Sequence, residues 1–203
     1  MTRITKAKET RKKEIVETAA RLFIQKGYEQ TAVSDIVKSL DVAQGTFYYH
    51  FKSKFEVLEE VVLMAMAETK NVLEEIAGMK KDPVDKLRLL TQRLLFMQVE
   101  HKTLLEILHR KENVLLHDRL MEQLVTVILP ILVEVYNEGR KEGVFREVYD
   151  PELTMDALLA AIIRIAHHPD LSVKKRSKKV VRIAETIISG VMLKKPEDFS
   201  LTG

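Results

Sequence analysis

A short segment near the amino end of the chain concentrates side chains that can contact base edges and phosphate oxygens. Its members are Gln44, Thr46, Tyr48, Tyr49 and His50, with Lys52 and Lys54 just beyond. Gln can pair with adenine N6 and N7, and Thr can meet the thymine methyl. Tyr hydroxyls and Lys ammonium groups suit phosphate oxygens, which position a protein without reading sequence. We interpret the segment as a helix that enters a DNA groove; the alternative is an exposed polar helix without a ligand.

The elements that must position this segment are three short helices, predicted over residues 8–26, 33–40 and 44–50. Gly27 ends the first, and Thr31 is predicted to cap the second. The intervening turn, residues 40–42, has the length of a helix-turn-helix joint, and Gly45 allows close approach to DNA. The expected core residues of this part are Phe23, Ile36, Val37, Leu40, Val42, Phe47, Phe51 and Phe55.

Helical spacing of apolar residues continues to the end of the chain. A fourth helix is predicted to open at Ser53, with Glu56 at the capping-box spacing. Further helices are predicted over 84–100, 104–110, 117–142, 151–168 and 173–193, with a kink at Pro130. The expected fold is all-α with about nine helices: a helix-turn-helix domain over residues 1–54 and a second domain over residues 55–203.

Composition sets limits on location and partners. The 203 residues include no cysteine, which excludes disulfides and thiolate zinc sites. No uninterrupted apolar run approaches the ~18 residues of a membrane span, so we expect a soluble cytoplasmic protein with no membrane partner. Residues 1–55 hold 11 Lys or Arg and 6 Asp or Glu, whereas the remainder holds 22 and 24. This asymmetry favours a polyanion partner for the amino-terminal part, although a solvated basic tail stays open.

The stretch GYEQTAVSDIVKSLDVAQGTFYYHFKSKFEVL resembles the tetracycline-repressor (TetR) family of transcription regulators, and the likeness covers about residues 10–60. Two positions depart from the family pattern. Asp41 stands where glycine is usual in the turn, and Asp tolerates the left-handed backbone better than most residues. Ala43 stands where Ser or Thr usually caps the third helix, so a capping oxygen worth ~1 kcal/mol is lost.

The resemblance implies which residues meet DNA. It implies phosphate contacts for Thr31, Tyr48 and Lys54, and either a phosphate contact or a packing role for His50. Groove contacts are implied for Gln44, Gly45, Thr46 and Tyr49. It further implies a homodimeric repressor on a palindromic operator in double-stranded DNA, released when a small molecule binds the carboxyl-terminal domain. The alternative is a helical ligand-binding or adaptor protein that has lost DNA binding.

An enzyme is the third reading, and the sequence offers it little support. There is no cysteine and no phosphate-binding glycine loop. Glu106 and His109 form one Glu-x-x-His pair, half of a di-iron bundle signature, and no second such pair exists. We therefore expect no enzyme activity, no cofactor and no metal.

The last two predicted helices are apolar around most of their circumference, which requires burial on two sides. One side can face the chain's own core and the other a second copy, although burial within one chain stays open. The predicted dimer contacts are Leu158, Ile162, Ile165, Val180, Ala184, Ile187 and Val191.

The resemblance also implies an effector pocket among the middle helices. The candidates are Met64, Leu94, Phe96, Met97, His101, Leu105, His109, Met121, Leu124, Ile128 and Tyr136, any of which could be plain core. Met and Leu adapt to irregular shapes, so the expected effector is apolar or amphipathic. Gly78 and Pro130 are expected to border the elements that move when it binds.

Overall fold

The computed structural model describes residues 2–110, 113–166 and 173–193, and over these residues the protein is all-α, as predicted. Nine α-helices occur in the described part of the chain, close to the predicted positions. They are α1 Thr2–Lys26, α2 Val33–Ser39, α3 Gln44–His50, α4 Lys54–Ala77, α5 Pro83–Glu100, α6 Lys102–Leu108, α7 Val114–Lys141, α8 Pro151–Ala166 and α9 Val173–Ile187. A π-helical turn, Ile188–Met192, follows α9.

The helices divide into two compact units. Of the described residues, the first unit contains 2–67, 103–110 and 113–116, and the second contains 68–102, 117–166 and 173–193. The division therefore falls within α4, whereas the sequence placed a domain boundary at residue 54. It also assigns α6 to the same unit as the three amino-terminal helices. Both α4 and α7 begin in the first unit and end in the second.

In the first unit, α1 packs against α2, and α2 packs against α3. Ile15, Ala19 and Phe23 have no exposed surface, and neither do Ile36 and Phe47. The core prediction is confirmed for Phe23, Ile36 and Phe47. It is wrong for Phe55, whose side chain is 37% exposed at the start of α4. Leu40 and Val42 are only half-buried.

Local hydrogen bonds define the ends of these helices. Ala32, not Thr31, is the residue before α2, and the Asp35 carboxylate accepts from the Ala32 amide at 3.1 Å. That hydrogen bond is the main reason why the pKa of Asp35 lies below its usual value. The Asp41 backbone has φ 53°, the left-handed conformation expected at the turn. At the start of α4, Ser53 Oγ accepts from the Glu56 amide at 3.2 Å, as the capping-box spacing predicted.

In the second unit, α8 packs against α9, and the end of α7 is closed by a tight turn. Phe145 lies directly over Gly139, where an added Cβ would come within 2.3 Å of the ring. Tyr136 Oη donates to the Arg146 carbonyl at 2.8 Å and accepts from the Val148 amide at 3.1 Å. The buried Lys86 ammonium donates to both carboxylate oxygens of Glu138 at 2.7 Å.

Within the part of the chain that the structure describes, one helix, Leu116–Lys141, is long and apolar enough to cross a membrane by length and composition. A core helix of a soluble protein passes the same test. Its apolar residues Leu120, Leu124 and Ile128 are buried, while Arg119 and Glu122 are exposed. This is the pattern of an amphipathic helix that packs on a core and exposes one face to solvent.

Candidate nucleic-acid interface

The α3 helix separates a buried face from a polar outer face. Phe47 has no exposed surface, whereas Tyr48 and Tyr49 are 54% and 66% exposed. Gln44 and Gly45 are also exposed at the start of the helix. Thr46 and His50 are half-buried at its edges. The structure therefore brings most of the predicted groove contacts onto one accessible surface.

Backbone hydrogen bonds fix α3 without a side-chain cap. Ala43 precedes the helix in an extended conformation and gives no capping bond, as predicted, and its carbonyl accepts from the Thr46 amide at 2.9 Å. The Val42 amide donates to the Val37 carbonyl at 3.0 Å, which ties the turn to α2. A Cβ built on Gly45 would meet no atom within 4 Å, so the helix is open on that side.

Lys54 is directed at the protein's own backbone. Its Nζ donates to the carbonyls of Tyr28 at 2.6 Å and Thr31 at 2.9 Å, and it lies 4.2 Å from the centre of the Tyr28 ring. Burial lowers the pKa of Lys54, and the nearby Glu29 partly offsets this. The structure thus gives Lys54 a positioning role for residues 27–32, the α1–α2 loop.

Thr31 stabilises the same loop through hydrogen bonds of its buried side chain. It has no exposed surface, and its hydroxyl donates to the Gly27 carbonyl at 2.8 Å and the Leu22 carbonyl at 3.3 Å. A buried hydroxyl with two internal acceptors is not available to a phosphate. The sequence expectation of a phosphate contact and a cap at Thr31 therefore does not fit this geometry; Thr31 anchors the loop.

A basic group on α1, which the sequence reasoning missed, lies beside α3. Lys8 Nζ is 5.0 Å from the centre of the Tyr49 ring, and Lys12 Nζ is 5.6 Å from that of Phe51. The pKa of His50 is lowered, first by burial and then by the positive charges of Lys8, Arg11 and Lys12. The only sequence signal for this group was the net positive charge of residues 1–55.

The predicted effector residues are scattered through both units. Leu94, Leu124, Ile128 and Tyr136 are buried, and Tyr136 uses its hydroxyl within the fold. Phe96 and His109 are exposed, and the half-buried members are Met64, Met97, His101, Leu105 and Met121. Met64, Leu105 and His109 belong to the first unit, and the others belong to the second. The structure does not gather this set around one described cavity.

Two adjoining cavities, both open to solvent, lie in the second unit. They measure about 800 and 480 Å³. Both are lined by Ala77 and Gly78 at the end of α4 and by Pro130 and Glu134 of α7. None of the predicted effector residues lines either of these two cavities, although Gly78 and Pro130 do border both. The larger cavity also reaches the Lys86–Glu138 ion pair.

The predicted dimer residues are largely inside the chain's own core. At most 3% of Leu158, Ile162, Val180 or Ala184 is exposed in the single chain, so a second copy cannot bury them further. These four assignments are corrected: the single chain already covers the four side chains, and α8 packs against α9. Ile165 and Ile187 are half-buried, and the side chain of Val191 lies outside the described residues. Apolar periodicity alone could not separate burial within a chain from burial between chains.

A short turn followed by a helix with an outward polar face, packed on two other helices, defines a helix-turn-helix protein of the DNA-binding class. A family model for "Bacterial regulatory proteins, tetR family" matches residues 15–61. Over these residues the chain is similar to regulators of the TetR family.

Individual regulators are similar to this chain over longer stretches. The transcriptional repressor KstR2 of Mycolicibacterium smegmatis is 28% identical over 148 residues, which cover 71% of this chain and 72% of KstR2. The uncharacterized regulator YerO of Bacillus subtilis is 37% identical over 82 residues, 38% of this chain, and the match spans only 28% of YerO. Among solved structures, SmeT, the repressor of the Stenotrophomonas maltophilia efflux pump SmeDEF, aligns with a TM-score of 0.67. At 21% identity, with 91% of this chain and 92% of SmeT covered, that alignment supports the fold alone.

Proposed function

We propose that this protein is a transcriptional repressor that binds operator DNA through α3. One observation carries the proposal: Tyr48 and Tyr49 are mostly exposed, while their neighbour Phe47 has no exposed surface. The apolar surface of a large aromatic side chain is unfavourable in water, so a partner that covers it gains free energy. Beside them Gln44 and Gly45 form the open start of the same helix.

Within this proposal the polar residues divide by role. Gln44, Thr46 and Tyr49 contact the groove, whereas Tyr48 and His50 meet phosphate at its edges. Thr31 and Lys54 do not contact DNA in this proposal. They position the α1–α2 loop, because their donors already bond to its carbonyls. That loop leads directly into α2, so its geometry sets the angle at which α3 is presented.

The proposed active form is a cytoplasmic homodimer. Two copies of α3 would enter successive major grooves about 34–36 Å apart on one side of the duplex. The two-fold symmetry of the dimer therefore predicts a palindromic operator. The proposed contact surface replaces the buried residues predicted from sequence. It is the exposed face of α8, where Leu153 is 63% exposed and Ala157, Ala160 and Arg164 follow at helical spacing. Small side chains in the middle of this face allow a second helix to approach closely.

The proposed regulatory ligand is a small amphipathic molecule that occupies the adjoining cavities of the second unit. Their walls combine apolar side chains such as Val133 and Met79 with charged groups such as Glu134 and Lys141. A structure of SmeT in complex with triclosan, with a TM-score of 0.68, supports a ligand-responsive role for this fold. An occupant beside Ala77 and Gly78 would act on the carboxyl end of α4, the helix that starts in the first unit.

Selection from a pool of random duplexes tests the DNA-binding proposal. We expect wild-type protein to enrich a palindromic sequence, and its affinity for that duplex to fall steeply as salt rises because phosphate contacts release counterions. An adaptor or ligand-binding protein without DNA binding would enrich no sequence at any salt concentration. That outcome would overturn the proposal.

Ligand response can then be measured on the selected duplex. Triclosan is the first probe, since it is the molecule bound in the SmeT complex. Under the proposal, an effector releases the duplex and changes amide hydrogen exchange at residues 68–78. Release without any change in exchange there would place the effector elsewhere.

A further inference from the structure

Lys8 of α1 lies at the exposed edge of α3. Its ammonium nitrogen is 5.0 Å from the centre of the Tyr49 ring, within the range of a cation–π contact. Tyr49 in turn meets the His50 ring edge to face, with ring centres 5.0 Å apart. Lys8 and Tyr49 are both exposed, so together they form one accessible surface across two helices.

Lys8 differs from its basic neighbours on α1, each of which pairs with an acidic side chain among the described residues. Arg11 pairs with Glu14 at 2.6 Å, Lys12 with Glu60 at 2.6 Å and Lys13 with Glu17 at 3.7 Å. Among the side chains that the structure describes, Lys8 has the Tyr49 ring as its contact and no ion pair. A ring face holds an ammonium group in place and leaves donors free for an anion.

We infer that Lys8 binds a phosphate of the duplex and extends the DNA-binding surface from α3 to α1. The inference rests on the proposed function, because it needs Tyr49 to lie at the groove. A major groove is about 12 Å wide, so a group some 5 Å from a side chain inside it reaches the phosphates along its wall. The surrounding charge agrees, since residues 8–13 hold four basic residues and one acidic residue.

The salt dependence of duplex binding tests Lys8 directly. Each phosphate contact contributes about 0.9 to the slope of log affinity against log salt. A dimer carries two copies of Lys8, so Lys8→Met should reduce the magnitude of this slope by about two. Met keeps an apolar stem over the Tyr49 ring and removes only the charge. Lys8→Arg should keep the wild-type slope. The matched control is Lys13→Met, an exposed residue of the same helix, which should also leave the slope unchanged.

The same loss is expected on the selected duplex and on an unrelated one, because phosphate contacts carry no sequence information. If Lys8→Met keeps the wild-type slope, or if Lys13→Met loses as much, the inference is wrong. A change in sequence preference with an unchanged slope would mean that Lys8 only orients Tyr49, which also overturns it. Failure of the wild-type protein to select any duplex is a separate outcome, and it would overturn the proposed function itself.

Discussion

At the scale of single residues, the α1–α2 loop depends on one ammonium group. Lys54 joins the carbonyls of Tyr28 and Thr31 and also lies over the Tyr28 ring. These carbonyls lie between α1 and α2, so they take no part in the hydrogen bonds within either helix. A charged donor such as Lys54 makes stronger hydrogen bonds than a neutral one. The position of the loop, and with it the start of α2, is therefore coupled to the first residue of α4.

Replacement of Lys54 by Met separates a positioning role from a phosphate contact. We expect the free energy of unfolding to fall by about 1–2 kcal/mol, because hydrogen bonds to a charged, half-buried group are lost. The measurement is denaturant unfolding, and Lys52→Met, an exposed neighbour, should change stability by no more than about 0.5 kcal/mol. Wild-type stability combined with weaker duplex binding would instead favour the phosphate contact predicted from sequence.

His50 gives the first unit a defined response to pH. Its pKa in the folded protein lies below 6.5, because burial and the charges of Lys8, Arg11 and Lys12 disfavour the imidazolium. The unfolded chain therefore binds the proton first as pH falls, and stability is lost between pH 6.5 and the lower folded pKa. Below the folded pKa this loss is complete and does not grow further.

We expect His50→Gln to lose less stability than the wild-type protein when the pH is lowered through this window. Denaturant unfolding at a series of pH values from 8 down to 5 measures the difference, with each variant compared with itself at pH 8. Lys8→Met should also reduce the loss, since it removes one of the charges that lower the pKa of His50. Parallel pH profiles for wild type and His50→Gln would contradict the assignment.

At the scale of elements, the end of α7 illustrates a glycine that packing requires. Gly139 lies in the last turn of α7, where alanine would ordinarily be favoured by at most roughly 0.5–1 kcal/mol. The Phe145 ring occupies the space that a Cβ would need, and Phe145 also stacks in parallel with Tyr136 at 5.8 Å. The cost of displacing a buried ring, about 1–3 kcal/mol, exceeds the propensity gain.

Gly139→Ala should therefore lower the free energy of unfolding by about 0.5–2 kcal/mol, the difference between those two effects. The control is Gly190→Ala, because a Cβ on Gly190 would meet no atom within 4 Å and the residue is exposed. Thermal or denaturant unfolding compares the two variants. If Gly139→Ala is as stable as the wild-type protein, the Phe145 ring is free to move aside and packing does not impose this glycine.

At the scale of the whole molecule, assembly determines whether two copies of α3 can act together. The exposed α8 face has small side chains at Ala157 and Ala160, so a bulky charge there should prevent close approach of a second helix. We expect Ala160→Glu to sediment as a monomer where the wild-type protein sediments as a dimer. Its affinity for the selected palindrome should fall to that for a single half-site.

Gln123→Glu, an exposed change of similar charge on α7, is the matched control and should leave the dimer intact. Analytical ultracentrifugation gives the oligomeric state, and circular dichroism establishes that the variant retains its helices. A dimeric Ala160→Glu protein would show that the second copy does not sit on this face of α8. A monomeric wild-type protein would remove the basis for a palindromic operator.

The chain's local patterns were sufficient to predict its helices and the outward face of α3, because helix periodicity, turn length and capping chemistry all act within a few residues. The left-handed backbone at Asp41 and the missing cap at Ala43 were expected because these positions depart from the pattern of the family that the sequence resembles. Contacts between distant residues were decided only by packing. Lys54 meets Tyr28 across 26 positions and Lys8 reaches Tyr49 across two helices, so neither partner can be deduced from spacing. The burial of Leu158 and Val180 inside one chain likewise depends on the packing of α8 against α9. An apolar pattern predicts that a helix face is buried, but it does not identify whether the same chain or a second copy buries it.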